Sequence, residues 1–109
     1  MSTDRDFVDY IVEQAGFGAD LTYRRMFGEY AIYLDEKVVG FACDNCFFLK
    51  PSNAAIPELD GVPRRPPYPG AKNYPVIDEF LDDTDTLQMI LRKTEQALPL
   101  PKPKKKPET

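Results

Sequence analysis

Cys43-Asp44-Asn45-Cys46 is the spacing in this chain with the most chemistry in it. Two thiols two residues apart serve disulfide exchange when a helix N-terminus lowers a thiol pKa. They serve zinc sites when two further ligands complete a tetrahedron. The chain has two cysteines and no histidine, so it holds no further soft ligands of its own. Asp44-Asn45 sits between two apolar runs, which places the pair at a hairpin turn and away from a helix dipole. The reading is two reduced, core-facing thiols, with a disulfide or a metal or redox role as alternatives. The lack of histidine also removes Ser-His-Asp and Cys-His nucleophilic sites and imidazole general bases. Neither a phosphate loop nor a dinucleotide glycine fingerprint is present.

Two other groupings carry potential chemistry. Asp78-Glu79 and Asp82-Asp83-Asp85 pair carboxylates, as acid–base catalysis does when two acids sit in contrasting environments. Both fall at expected helix starts, where acids are ordinary capping devices, and that structural role is preferred. Arg24-Arg25, Arg64-Arg65 and Lys72 interleave with Tyr23, Phe27, Tyr68 and Tyr74. Basic and aromatic residues together can grip nucleic acid or a phosphorylated ligand; the alternative is a solvated rim over half-buried tyrosines. No catalytic residue, cofactor site or metal ligand is assigned. The candidate interaction surface is Arg24, Arg25, Phe27, Tyr30, Tyr33, Phe47, Arg64, Arg65, Tyr68 and Lys72.

These residues have to be positioned by a small α+β domain. Phe7, Val8, Ile11, Val12 and Ala15 form a stripe at helical spacing, so a first helix is expected over 4–15, capped by Thr3 and closed by Gly16 and Gly18. Residues 23–34 read as one strand, 37–43 as a second and 46–50 as a third, joined by Asp35-Glu36 and Asp44-Asn45. Two-residue turns would pair Leu34 with Lys37, Ile32 with Val39, Tyr30 with Phe41, and Cys43 with Cys46. Both faces of that sheet are then apolar. A small soluble sheet usually has one wet face, so the second apolar face predicts a partner, most simply a second copy of the chain. Ser52 or Asn53 can cap a short helix reaching Leu59. Residues 62–74 are a proline-rich connection with room for a distorted hairpin around Pro69-Gly70. A single helical turn over 76–81 precedes a last helix capped by Asp83, with Leu87, Ile90, Leu91, Thr94, Ala97 and Leu98 as its buried stripe and Pro99 as its stop.

Length and charge bound the rest. The 109 residues suit one domain, here 1–98, followed by a disordered Lys/Pro-rich tail over 99–109. The chain's net charge is −4. The tail holds four lysines against one glutamate, which leaves the first 98 residues at −7. An acidic domain argues against a broad phosphate-binding face, while the tail could hold DNA weakly through charge. No run of 18 apolar residues and no signal peptide is present, and the cysteine usage suits reduced thiols in a cytoplasm.

Residues Arg25-Met26-Phe27-Gly28-Glu29-Tyr30-Ala31-Ile32-Tyr33 resemble the signature of the TfoX (Sxy) N-terminal domain family. The likeness continues through Leu34-Asp35, Phe41-Ala42, Asp44, Phe47 to Lys50, and the helix after Leu81-Asp82-Asp83. It spans roughly residues 7–98. Glu29 and Ala31 stand where the family favours glycine, and the proline-rich middle matches poorly. The resemblance implies a two-layer α+β fold of secretion-chaperone-like type, an antiparallel sheet with helices mainly on one face. It implies a non-enzymatic regulator of the natural-competence type, acting by contact with the transcription machinery, and it carries over no catalytic residue. Homodimer formation, a protein partner and, as an alternative, nucleic-acid association are the expected interactions. A small-molecule site or enzyme ranks below these, and no membrane association is expected.

Overall fold

The computed structural model describes residues 3–26 and 28–99. Phe27 and residues 100–109, which include most of the expected tail, lie outside the described residues. The order is α1 (Arg5–Ala15), β1 (Leu21–Met26), β2 (Glu29–Leu34), β3 (Lys37–Cys43), β4 (Cys46–Leu49), β5 (Arg64–Arg65), β6 (Tyr74–Pro75) and α2 (Thr84–Ala97), with short 3-10 turns over Gly18–Asp20, Pro57–Leu59 and Asp78–Phe80. β1 to β4 form an antiparallel meander in sequence order, and β5 and β6 form a separate two-stranded ribbon. Both helices lie on one face of the meander, as expected. Val8, Ile11 and Ala15 of α1 and Leu87, Ile90 and Leu91 of α2 share one buried cluster with Ile32, Leu34, Val39, Ala42, Phe47 and Leu49.

The expected single strand over 23–34 is two strands. β1 and β2 pair from Leu21 opposite Leu34 to Met26 opposite Glu29, and Gly28 supplies the positive φ of 84° at the bend. The other two turns behave as read. Asp35, Glu36, Asp44 and Asn45 all have φ between 51° and 73°, the left-handed pair that a two-residue hairpin requires.

The register departs from expectation after two pairs, Leu34 with Lys37 and Tyr33 with Val38. Beyond them Ile32 faces Gly40 and Tyr30 faces Ala42, which leaves Val39 as an extra residue in β3. A one-residue slip moves every later side chain to the opposite face. Ala42, Phe47 and Leu49 therefore join the helix-side core. Phe41, Cys43, Cys46 and Phe48 move to the outer face, where they cluster with Tyr74 and Val76. Gly40 makes the close approach possible: a Cβ there would lie 2.4 Å from the Phe48 carbonyl oxygen and 2.9 Å from the Phe47 ring.

The outer face is covered in part by the chain itself. Val76 bridges Phe48 in antiparallel fashion, and the Ile77 N–H donates to the Phe47 carbonyl at 3.0 Å. The segment thus runs beside β4 and carries the β5–β6 ribbon over Phe41 and Phe48. An apolar second face accordingly does not by itself require a partner.

Smaller corrections follow from local hydrogen bonding. Thr3 does not cap α1; the N-cap is Asp4, without a side-chain cap bond. The Thr3 hydroxyl donates to Glu29 at 2.6 Å and accepts from the Asn45 N–H at 3.2 Å. Its own N–H donates to the Gly28 carbonyl at 3.0 Å. Thr3 therefore ties the β1–β2 turn to the β3–β4 turn. The helix expected from Ser52 is only the 3-10 turn at Pro57–Leu59; the Ser52 hydroxyl instead accepts from the Ala54 N–H at 3.2 Å, a local bond that competes with helix. Asp83 caps α2 as read, accepting from the Thr86 N–H at 3.2 Å.

Candidate interaction surface

The part of the outer face left open lies over β1, β2 and the first half of β3. Alternation along β1 puts Thr22, Arg24 and Met26 on this side, opposite Tyr33, Ala31 and Glu29. Next to the ribbon this surface deepens into a cleft of about 630 Å³ lined by Met26, Glu29, Tyr30, Phe41, Cys43, Tyr68 and Pro69. Its walls are mostly apolar. Met26 is 40% exposed and Tyr68 50% exposed, two of the largest apolar side chains left open to solvent. The Tyr68 ring meets Phe41 edge-on at 6.4 Å, and Tyr74 lies 6.0 Å from the same ring. Sheet and ribbon together build this wall, because the 66–70 loop is held over β3 by aromatic contact.

The residues singled out in the sequence divide between surface and core. Tyr33, with the Arg24 guanidinium 5.9 Å from its ring centre, lies on the open outer face. Tyr68 lines the cleft. Phe47 and Tyr30 are 0% and 6% exposed; both belong to the helix-side core, Tyr30 edge-on to Tyr23 at 5.4 Å while also bordering the cleft. Their burial follows from the bulge for Phe47 and from the helix-facing alternation of β2 for Tyr30. Phe27 lies outside the described residues.

The basic residues diverge. Arg25 pairs with Tyr30 and so lies on the face opposite Arg24. Arg64 lines a second cleft of about 430 Å³ with Lys50, Asp60 and Pro57. Arg65 stacks over Phe48 at 5.3 Å and donates to Cys46 Sγ at 3.1 Å. Lys72 is exposed in the loop between β5 and β6. The sequence signal missed was the cleft itself: Met26, Phe41 and Pro69 come together only through the bulge and the ribbon.

The cysteine pair also lies on this face, flanking the β3–β4 turn directly opposite one another. Both are free, Cys43 buried and Cys46 partly exposed. Burial, together with the nearby Glu29 and Asp44 charges, pushes the Cys43 thiol up to about 11. Beside Cys46, burial raises the Asp78 carboxyl above the ordinary aspartate range, against the bond it accepts from the Phe47 N–H and the Arg65 charge. Among the described residues no group of three or more His, Cys, Asp or Glu is placed to hold a metal ion. Among the same residues no helix is long and apolar enough to cross a membrane.

The family model for the TfoX N-terminal domain matches residues 13–98. The uncharacterized 12.7 kDa protein in the trpE 5′ region of Spirochaeta aurantia is 47% identical over 105 residues, covering 96% of this chain and 91% of that relative. No solved structure matches the chain.

Proposed function

Because this chain belongs to the TfoX N-terminal domain family, we propose that it is a non-enzymatic regulatory module that works by protein contact. The contact surface is the cleft between the sheet and the 66–70 loop, with Met26 and Tyr68 as apolar anchors and Arg24 over Tyr33 as the polar rim. The supporting observation is that Met26 and Tyr68, two of the three large apolar side chains exposed among the described residues, flank one mostly apolar cleft. Exposed apolar patches with a polar rim mark interaction sites, and aromatic, Met and Arg residues are enriched where partners dock. In a competence-type regulator the partner is a component of the transcription machinery in the cytoplasm. A second copy of the chain on the same face gives a homodimer as the simplest assembly.

Affinity capture of the tagged chain from its native lysate, with nuclease treatment, tests this reading. The expected result is a transcription factor or polymerase subunit that survives nuclease and is lost with Met26→Lys or Tyr68→Ala. Partners that vanish with nuclease would transfer the role to nucleic-acid association through Arg24, Arg25, Arg64, Arg65, Lys72 and the lysine tail. Light scattering of the purified chain tests the dimer; a strict monomer at high micromolar concentration would remove it.

A further inference from the structure

We propose that Cys43 and Cys46 are a thiol-modification site, closing to a reversible disulfide with Cys46 as the thiol that reacts first. This rests on the thiols alone and stands whether or not the interaction reading does. Three observations carry it.

The first is register. Cys43 and Cys46 are direct cross-strand partners. Directly opposed residues in an antiparallel pair have Cα atoms roughly 4.5–5.5 Å apart, inside the roughly 4.4–6.8 Å range of disulfides. Their Cβ atoms sit about 4.5–5.5 Å apart in ordinary pairs, wider than the roughly 3.5–4.5 Å a disulfide prefers. Closing the bond draws the strands together at the hairpin tip. That tip is pinned, since Asn45 accepts from the Asp4 N–H at 2.9 Å and Thr3 and Glu29 hold the turn N–H groups. A strained disulfide is more readily reduced, which suits a switch and not a permanent staple.

The second is asymmetry. Arg65 Nη2 donates to Cys46 Sγ at 3.1 Å, and Cys46 is partly exposed. An accessible sulfur beside a cation is the environment of reactive cysteines. Cys43 is 2% exposed and holds its proton, so it does not compete for the first step. The third is consequence. Cys43 lines the 630 Å³ cleft, and Arg65 links Cys46 to the Phe48 ring beneath the ribbon. The bond would alter both the cleft wall and the anchor of β5.

The chemistry balances with a low-molecular-weight disulfide such as glutathione disulfide as oxidant. Cys46 gives its proton to water and its thiolate attacks the reagent. A Cys46–glutathione bond forms, the reagent's S–S bond breaks, and one glutathione thiolate leaves. Cys43 then attacks Cys46 Sγ, forming the Cys43–Cys46 bond and breaking the Cys46–glutathione bond, and its proton passes through water to the departing sulfur, which leaves as the second glutathione thiol. Two protein thiols are oxidised and one disulfide is reduced to two thiols.

The test is incubation of the native chain with glutathione disulfide, followed by acid quench, alkylation and intact mass. Wild type should lose both free thiols and carry no glutathione. Cys43→Ala should stop at a single glutathione adduct on Cys46, and Cys46→Ser should remain unmodified. Arg65→Gln in the Cys43→Ala background should slow adduct formation by roughly tenfold, the loss of a hydrogen bond to a charged group, with the circular dichroism spectrum unchanged. Wild type that stops at an adduct on Cys46 with Cys43 free would overturn the disulfide. Equal alkylation rates for the two thiols in the native chain would overturn the assignment of Cys46 as first reactant. Should Cys43→Ala misfold, Cys43→Ser gives the same readout.

Discussion

Single side chains tie together parts of this fold that its backbone ladders leave separate. Lys37 at the start of β3 reaches α2, its Nζ lying 3.0 Å from Glu95 Oε2 and donating to the Glu95 carbonyl at 2.9 Å. Arg92 Nη1 bonds the same carboxylate at 2.9 Å and Asp35 at 2.6 Å. The Lys37 and Glu95 side chains are only 11% and 13% exposed, so this is no ordinary surface pair. Burial alone would raise the Glu95 carboxyl, but the bonds and charges from Arg92 and Lys37 outweigh it and hold the group below its ordinary value of 4.5. A depressed folded-state pKa contributes stability that is present above the unfolded value and is lost as pH falls through the folded one. Lys37→Met keeps the packed stem and removes the charge. We expect it to cost about 1–2 kcal/mol at neutral pH, with the cost shrinking below pH 4.5. Urea unfolding of both chains across that range measures it, and a pH-independent difference would show that Lys37 acts by packing. Asp78, whose carboxyl is raised, tilts stability the opposite way in both chains and cancels in the comparison. The links from Lys37 and Asp35 to α2 were not legible in the sequence, because they join positions 57 and 58 residues apart that only the folded layers bring together.

At the scale of elements, the sequence spoke clearly where one residue type has one geometric meaning. Both two-residue turns were legible because a hairpin with two left-handed residues leaves the flanking strands a single pairing at the turn. Asp, Asn and Gly carry that geometry easily. Glu36, at φ 73°, does not, and the turn forms despite it because Leu34 and the strands beyond are buried. Glu36→Gly should therefore stabilise the chain by about 1 kcal/mol, read as a higher urea midpoint with an unchanged slope; an unchanged midpoint would mean the flanking strands already absorb the strain. The strands after the turn were harder. Val39 bulges out of register with no proline or loop residue to announce it, and the one available signal was Gly40, a glycine inside an apolar strand. The same holds at Gly28, where an aromatic-rich run conceals the bend between β1 and β2. From the bulge onward, the expected faces were exchanged, and with them the positions of Phe47 and the two cysteines.

At the scale of the whole molecule, the two-sided apolar sheet was legible but its covering was not. Alternation counts apolar residues per face; it does not say which segment lies over them. Part of the outer face is covered by residues 62–77, a stretch with too many prolines to show a periodic pattern, held by Tyr74 on Phe41, Val76 opposite Phe48 and Arg65 over Phe48. The chain thus supplies for β3 and β4 the cover that a partner would otherwise provide, and leaves the cleft beside Met26 uncovered. If the ribbon stands in for a partner, loosening it should create a sticky surface before it unfolds the domain. Tyr74→Ala removes the tilted ring contact and part of the cover over Phe41 while leaving the helix-side core intact. We expect a loss of about 2 kcal/mol, increased binding of an apolar dye at neutral pH, and self-association by light scattering at concentrations where the parent chain shows less. Met26→Lys, on the open side, should change stability by no more than about 0.5 kcal/mol and leave dye binding to the ribbon side unaltered. A Tyr74→Ala chain that loses stability without gaining dye binding or self-association would mean that the ribbon is a packing element only, and that the outer face becomes sticky nowhere except at the cleft it already exposes.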